Sequence, residues 1–143
     1  MAKIAIDLPA TFSFVTSIPI RITDINYGGH AGNDAILSLV HEARMQYLKK
    51  FGYAELEFEG IGLIMSDAGI EFKGELFYGD IVIASVVTGE FTKIGFDIFY
   101  KLEKEINGER KLVAAVKTGM VGYDYSRKKI TALPPAAVDK LKS

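Results

Sequence analysis

The order of its elements is what most restricts the fold of this chain. One long helical pattern, from about residue 33 to Phe51, precedes four β-rich segments at residues 62–73, 80–91, 94–106 and 110–124. Apolar residues recur along the helix every three or four positions, at Ile36, Leu37, Val40, Ala43, Tyr47, Leu48 and Phe51. Short turns separate the β-rich segments, as is typical of antiparallel neighbours. The sequence therefore predicts one α+β domain over residues 1–143, with a sheet of about five antiparallel strands against one helix.

The segments around the helical pattern indicate where the elements begin and end. Residues 14–25 are β-rich and predict a first strand, in which Pro19 marks an edge or a bulge. Asn33 or Asp34 is the expected N-cap of the helix, because both side chains accept hydrogen bonds from backbone N–H groups. Residues 53–61 fit either a short helix or an irregular connection.

The composition narrows the chemistry that the chain can perform. It has no cysteine, which excludes disulfides, thiolate metal sites and a cysteine nucleophile. Its two histidines, His30 and His41, would need carboxylates to complete a zinc site, and we expect neither a metal nor a cofactor. A formal net charge of −1 lacks the basic excess of an electrostatic nucleic-acid binder. Carboxylates, two imidazoles, hydroxyls, amides and backbone dipoles remain.

The hydropathy pattern predicts neither a targeting signal nor a membrane span. Asp7 and Pro9 interrupt the first residues, and no apolar run reaches the roughly 18 residues that a membrane helix needs. We therefore expect a cytoplasmic protein without a membrane partner. One helix covers only one face of a sheet and leaves strand edges free, which favours self-association.

A glycine-rich loop joins the predicted first strand to the helix. It reads NYGGHAGN at residues 26–33, with three glycines in eight positions. Glycines let the backbone approach a ligand closely, and the N–H groups at a helix start carry partial positive charge. Together they predict a site that can hold a carbonyl oxygen and stabilise an oxyanion. A plain connection with capping Asn and Asp side chains is the alternative interpretation.

Four polar residues of the predicted helix fall along one stripe. The stripe consists of Asp34, Ser38, His41, Glu42 and Met45. A carboxylate on a mostly buried helix costs free energy unless it is paired or faces a pocket, so Glu42 is a candidate general base. In the alternative interpretation the stripe is exposed and Glu42 pairs with Gln46 or Arg44.

Three further residues outside the helix are candidates. His30 either hydrogen-bonds a substrate or holds the glycine-rich loop closed. Asp67 lies in a predicted strand, where aspartate is depleted, and is therefore a bulge residue or a pocket residue. Asp24 offers a second carboxylate near the loop, at the end of the predicted first strand.

Three motifs, in order over roughly residues 14–125, make the chain similar to the hotdog-fold thioesterases, in particular the 4-hydroxybenzoyl-CoA thioesterase-like group. The stretch from Asp24 to Asn33 resembles that group's motif D-x-D-x-x-G-H-V-N-N. VHEAR at residues 40–44 resembles its F-E-x-A-R segment. IEFKGELFYGD at residues 70–80 resembles its strand that ends in an aromatic-Gly-Asp turn.

The resemblance implies a hotdog fold, in which a five-stranded antiparallel sheet wraps around one long helix. It implies hydrolysis of an acyl-CoA, with the helix N-terminus polarising the thioester carbonyl and a carboxylate attacking it or activating water. In many members that carboxylate is the second Asp of D-x-D, where this chain has Asn26, and an amide cannot accept a proton at neutral pH. It also implies a homodimer or homotetramer with sites between subunits.

On this basis we expect Glu42 to activate water, aided by Asn26 and His30, with Asp24 as the other catalytic carboxylate. The expected substrate contacts are Gly29, Ala31, Gly32, Asn33 and Asp67.

Two other functions remain open. The loss of an Asp at position 26 favours a non-catalytic acyl-CoA binding protein. A hotdog enoyl-CoA hydratase or dehydratase resembles D-x-N-P-x-H, whose start Asp24 and Asn26 match, but the Pro is missing and His30 comes one residue late.

Overall fold

A computed structural model describes residues 3–143 as one long helix packed against one antiparallel sheet. The elements in chain order are β1 (Phe14–Pro19), a 3-10 turn (Ile22–Asp24), α1 (Asn33–Lys50), β2 (Gly62–Phe72), β3 (Ile81–Gly89), β4 (Gly95–Ile106), β5 (Glu109–Asp124), β6 (Lys129–Ile130) and α2 (Pro135–Lys142). The predicted α+β class is confirmed, with five main strands and one main helix. β6 has only two residues, and residues 53–61 form irregular turns between α1 and β2.

The sheet has the strand order β1-β3-β4-β5-β2, with β6 added beside β5. Every pair is antiparallel, so β1 and β2 lie at the two edges. The apolar side of α1 packs on one face of this sheet, which we call the inner face, and Ala43, Tyr47 and Leu48 are fully buried there. This burial confirms the helical spacing for five of the seven predicted apolar positions, while Phe51 packs at the edge of the core and Leu37 is exposed.

The predicted first strand of residues 14–25 is too long. β1 ends at Pro19, which has no N–H to donate, and the chain then turns through Ile22–Asp24. Asp24 stabilises this turn, since its Oδ2 accepts the backbone N–H of Arg21 at 2.8 Å. A side-chain hydrogen bond to the backbone thus ends the strand, as aspartate commonly does in turns.

The predicted N-cap of the helix, Asn33 or Asp34, is also wrong. Gly32 is the N-cap, in an extended conformation, and α1 begins at Asn33. The C-terminal end of α1 agrees better with the predicted span, which stops at Phe51. Gly52, directly after it, has a φ of 82° that a glycine adopts without strain. Within residues 3–143, no helix is long and apolar enough to cross a membrane.

The face of the sheet opposite α1, which we call the outer face, is crossed by residues 3–13. The Ile6 N–H donates to Glu71 Oε1 at 3.1 Å, and Lys101 Nζ lies 5.0 Å from the centre of the Phe12 ring. The N-terminal segment therefore covers part of the face that one helix leaves bare.

Candidate active site

The glycine-rich loop closes into a tight turn in front of α1. The Asn26 N–H donates to the His30 carbonyl at 3.0 Å, and the Gly29 N–H donates to the Asn26 carbonyl at 3.1 Å. Gly29 has a φ of 80°, in the left-handed region where a side chain is strained. Residues 26–29 are exposed, so this turn presents its backbone to solvent directly before the helix.

The N-terminus of α1 has no side-chain cap. The Gly32 carbonyl accepts the N–H groups of Ala35 and Ile36, at 3.1 and 3.3 Å. The N–H groups of Asn33 and Asp34 precede these, and an α-helix gives such donors no intrahelical partner. Because they carry partial positive charge, the start of α1 has the local structure that an oxyanion site requires.

The Asn26 side chain lies beside this helix start. Its Oδ1 accepts the Gly28 N–H at 2.9 Å, and its Nδ2 lies on the side of Gly32. A Cβ built on Gly32 would lie 3.3 Å from Asn26 Nδ2 and 2.7 Å from Asp34 Oδ1. The absence of a side chain at Gly32 therefore lets an amide and a carboxylate approach the first turn of α1.

Two of the predicted catalytic carboxylates line one cavity. Asp24 and Glu42 contribute to a cavity of about 220 Å³ between β1 and α1. Its other lining residues are Ser17, Ile18, Pro19, Arg21, Ser38, Leu39 and Gln46. Ser38, Glu42 and Gln46 are spaced at i, i+4 and i+8, so one row of the helix faces this space.

The two carboxylates have different surroundings. Asp24 is buried, and its Oδ2 lies 3.7 Å from Arg21 Nε in addition to accepting the Arg21 N–H. Glu42 is exposed, and its Oε2 accepts a hydrogen bond from Gln46 Nε2 at 2.7 Å. Gln46 Oε1 in turn accepts the Thr16 hydroxyl of β1 at 2.5 Å. Glu42 thus adopts the pairing with Gln46 that the exposed-stripe interpretation expected, at the rim of the cavity.

His30 contacts a loop that contains none of the predicted site residues. Its Nε2 lies 3.7 Å from Glu75 Oε1, and the neighbouring Ala31 N–H donates to the Leu76 carbonyl at 2.8 Å. Within residues 3–143, the buried His30 Nδ1 has no hydrogen-bond partner. Glu75 and Leu76 belong to residues 73–80, which we call the β2–β3 loop. Only the aromatic-Gly-Asp turn at its end signalled this loop in the sequence.

Asp67 lies apart from the other predicted site residues. Its carboxylate accepts two hydrogen bonds from Lys117 Nζ, at 3.0 and 3.2 Å, beside an irregularity of β2. The next residue of β5, Thr118, bonds Tyr100 on the inner face, and side chains alternate along a strand. Lys117 and Asp67 are therefore on the outer face, where the hydrogen bond to Asp67 raises the pKa of Lys117.

The middle of α1 carries a buried polar network. Arg44 Nε donates to Glu55 Oε1 at 3.3 Å, and Arg44 Nη1 donates to the Tyr100 hydroxyl at 3.2 Å. That hydroxyl also lies 2.7 Å from Thr118 Oγ1, and His41 Nε2 lies 3.0 Å from Glu55 Oε1. Burial lowers the pKa of Arg44, but Tyr100 and Glu55 raise that pKa by more. The network fixes the helix to the sheet.

The described residues include no group of three or more His, Asp and Glu side chains that could hold a metal ion. The helix start instead has an amide, an imidazole and backbone N–H groups nearby, and the cavity with the two carboxylates lies further along α1, from Ser38 on. Such groups can orient water, accept its proton and stabilise a negatively charged oxygen.

The helix-on-sheet architecture and the uncapped, glycine-rich helix start define a hotdog-type protein. A sequence profile of the thioesterase-like superfamily matches residues 20–141. The chain therefore belongs to the thioesterase-like superfamily. Among curated proteins, no sequence matches the chain significantly.

Solved structures of thioesterases share the fold at low sequence identity. A 4-hydroxybenzoyl-CoA thioesterase, an Asp-to-Asn mutant complexed with 4-hydroxybenzoyl-CoA, is 16% identical with a TM-score of 0.82, over 90% of this chain and 97% of that one. A 1,4-dihydroxy-2-naphthoyl-CoA thioesterase from Synechocystis is 18% identical with a TM-score of 0.78, over 91% and 98%. A gentisyl-coenzyme A thioesterase is 20% identical with a TM-score of 0.76, over 88% and 99%.

Proposed function

We propose that the protein hydrolyses an acyl-CoA to the free acid and CoA. The observation that carries this proposal is the uncapped start of α1 beside the Asn26 amide, together with a cavity that bears two carboxylates further along the same helix, from Ser38 on. The superfamily membership supports it, and several structural neighbours are named as acyl-CoA thioesterases.

In the proposed reaction, Glu42 removes a proton from a water molecule that attacks the thioester carbonyl carbon. The carbonyl oxygen becomes an oxyanion, which the first N–H groups of α1 stabilise. The carbon–sulfur bond then breaks, the CoA thiolate leaves with the proton that Glu42 had accepted, and the free acid and the Glu42 carboxylate remain. Asn26 orients the water or donates to the carbonyl, and no cofactor beyond the CoA of the substrate takes part.

The test of this proposal is a panel of acyl-CoA substrates in a free-thiol assay. The panel includes aliphatic chains and hydroxyaromatic acyl groups, because three structural neighbours are named for aromatic acyl-CoA substrates. Replacing Glu42 by Gln should lower hydrolysis about 10²-fold if Glu42 is the base. Asp139→Asn, on the exposed side of α2, is the matched control and should leave hydrolysis unchanged.

Unchanged hydrolysis in Glu42→Gln would move the role of base to Asp24. Asp24 is the second carboxylate of the same cavity, and its burial makes it the better shielded of the two. Asp24→Asn should then give the loss, provided that thermal unfolding shows the turn at Ile22–Asp24 intact. If neither variant loses activity, carboxylate catalysis in this cavity is wrong.

A non-catalytic acyl-CoA binding protein is the second candidate function. Two observations favour it: position 26 is an amide, and Glu42 is exposed and hydrogen-bonded to Gln46. It predicts that acyl-CoA raises the melting temperature without release of free thiol. An enoyl-CoA in the same panel tests the hydratase alternative, which predicts addition of water without release of CoA.

We also propose that the protein is a homodimer or homotetramer. β2 is an edge strand, and exposed apolar residues lie on it and on the adjacent helix face, at Leu37, Met65 and Phe72. A free strand edge with apolar neighbours is a common association surface. Light scattering that shows only monomers would contradict this proposal and the sharing of a site between subunits.

A further inference from the structure

Lys104 of β4 is a mostly buried lysine close to the candidate active site. Its side chain keeps only 15% of its surface exposed, although lysines are seldom buried. The ammonium donates to the Glu75 carbonyl at 2.7 Å and to Asp80 Oδ2 at 3.1 Å. It also lies 5.0 Å from the centre of the Phe77 ring. One cation thus contacts three residues of the β2–β3 loop.

These contacts close the β2–β3 loop on itself. Asp80 Oδ2 accepts the Phe77 N–H at 2.9 Å as well as the Lys104 ammonium, and the Asp80 N–H donates to the Phe77 carbonyl at 3.0 Å. The buried Leu76 anchors the middle of the loop in the core. The Lys104 and Asp80 side chains keep 15% and 30% exposure, so this charge-assisted hydrogen bond is partly shielded from water.

The middle of the β2–β3 loop holds the glycine-rich loop in place. The Leu76 carbonyl accepts the Ala31 N–H at 2.8 Å, directly before the helix start. The Glu75 carboxylate lies 3.7 Å from His30 Nε2, and the carbonyl of the same residue accepts the Lys104 ammonium. Lys104 therefore connects to both His30 and Ala31 through two consecutive loop residues.

We propose that Lys104 is a positioning residue, which sets His30 and the start of α1 in their places by fixing the β2–β3 loop. In the context of the proposed hydrolase, this positioning keeps the oxyanion donors and the imidazole aligned with the thioester. Displacing such groups costs rate without removing any of them, because the reacting atoms are no longer held in the productive geometry.

The test compares Lys104→Met, which removes the charge at similar length, with Lys104→Arg, which retains it. Lys111→Met is the matched control, since Lys111 is the exposed register partner of Lys104 on β5. NMR of the two histidines gives a readout that is independent of turnover. The His30 ring signals should shift in Lys104→Met, while those of His41, which pairs with Glu55, should not.

A second readout separates positioning from simple folding. If the protein hydrolyses acyl-CoA, Lys104→Met should lower kcat about tenfold with KM changed less, and Lys104→Arg should restore most of kcat. Asp80→Asn, which weakens the same contact from the loop side, should shift His30 in the same way and serves if Lys104→Met does not fold. The proposal is overturned if His30 keeps its signals in a folded Lys104 or Asp80 variant. Absence of turnover in the native chain would instead contradict the hydrolase, and the NMR result would still decide the role of Lys104.

Discussion

Polar side chains are buried and paired in the middle of α1, whereas they are exposed at its start. In the middle, Arg44 is buried and bonds both Glu55 and Tyr100, and Tyr100 also bonds Thr118. At the start, Gly32 offers no side-chain cap and Asn26 is exposed. The two regions are separated by only three turns of one helix.

This difference indicates which polar groups serve the fold and which serve a ligand. A buried group must be paired within the chain, since an unpaired one costs free energy comparable to a lost hydrogen bond. A group that receives a ligand must keep bonding capacity for it. Substitutions in the middle of α1 should therefore change stability, and substitutions at its start should change ligand binding with little effect on stability.

The largest expected effect is that of Arg44→Ala. The substitution leaves Glu55 and Tyr100 without their buried partner, and breaking a buried pair from one side is strongly destabilising. We expect a loss of about 3 kcal/mol in the free energy of unfolding, measured by urea denaturation. Breaking a buried ion pair from one side costs about 3–5 kcal/mol. We expect the lower end of that range because the Glu55 side chain keeps 23% exposure and His41 also contacts it.

Lys49→Ala is the control for Arg44→Ala. Lys49 lies on the same helix but is exposed, and such substitutions usually change stability by about 0.5 kcal/mol or less. Equal losses in the two variants would show that helix propensity, and not the network, determines the stability of α1.

A smaller effect is expected for Tyr100→Phe, which removes one hydroxyl from the same network. Arg44 and Thr118 each lose one hydrogen bond in a buried setting, and we expect a loss of about 1.5 kcal/mol at neutral pH. The ring remains, so no cavity forms. A double-mutant cycle with Arg44→Ala should give less than the sum of the two losses, because both substitutions remove the same contact.

The pH dependence of stability gives a second check on Tyr100. Burial raises the pKa of Tyr100, and the Arg44 guanidinium offsets part of this effect. Between the unfolded pKa of about 10 and the higher folded pKa, the folded protein keeps a phenol proton that the unfolded chain has released. Stability should therefore be full below pH 10 and fall as the pH rises. The fall should be less steep in Tyr100→Phe, although burial raises the pKa of Tyr47 and Tyr53 as well. An equally steep fall would contradict a raised pKa at Tyr100.

The sequence predicts the fold better than it predicts the site, because the two depend on different interactions. The helix and the strands follow from local periodicity, and the observed α1 at Asn33–Lys50 differs little from the predicted span. Where one hydrogen bond decides a boundary, prediction fails. Asp24 ends the first strand early by bonding the Arg21 N–H, and Gly32 replaces Asn33 as the N-cap.

The site is harder to predict because its members meet through tertiary contacts. The exposed stripe and the pairing of Glu42 with Gln46 are among the predicted alternatives, because both follow from helical spacing, yet the cavity shared with Asp24 depends on how β1 packs. Asp67 is a carboxylate like Asp24 and Glu42, but it lies on the outer face of the sheet. Period-two alternation shows which residues of a strand share a face, but not which of the two faces packs against α1. The contact of His30 with the β2–β3 loop joins residues 45 positions apart.

The smallest effect on stability is expected for Asn26→Ala, at the start of α1. Asn26 is exposed and its side chain makes one hydrogen bond within the loop, to the Gly28 N–H, so stability should change by about 0.5 kcal/mol or less. The affinity for a CoA thioester, measured by isothermal calorimetry, should nevertheless fall about fivefold, the equivalent of one hydrogen bond. Thr23→Ala, an exposed neighbour in the adjoining turn, should change neither quantity. If Asn26→Ala instead destabilises the protein and leaves binding unchanged, the amide closes the loop as a structural group. The start of α1 would then not differ from its middle in the way proposed, and the plain-connection interpretation of the glycine-rich loop would replace that of a ligand site.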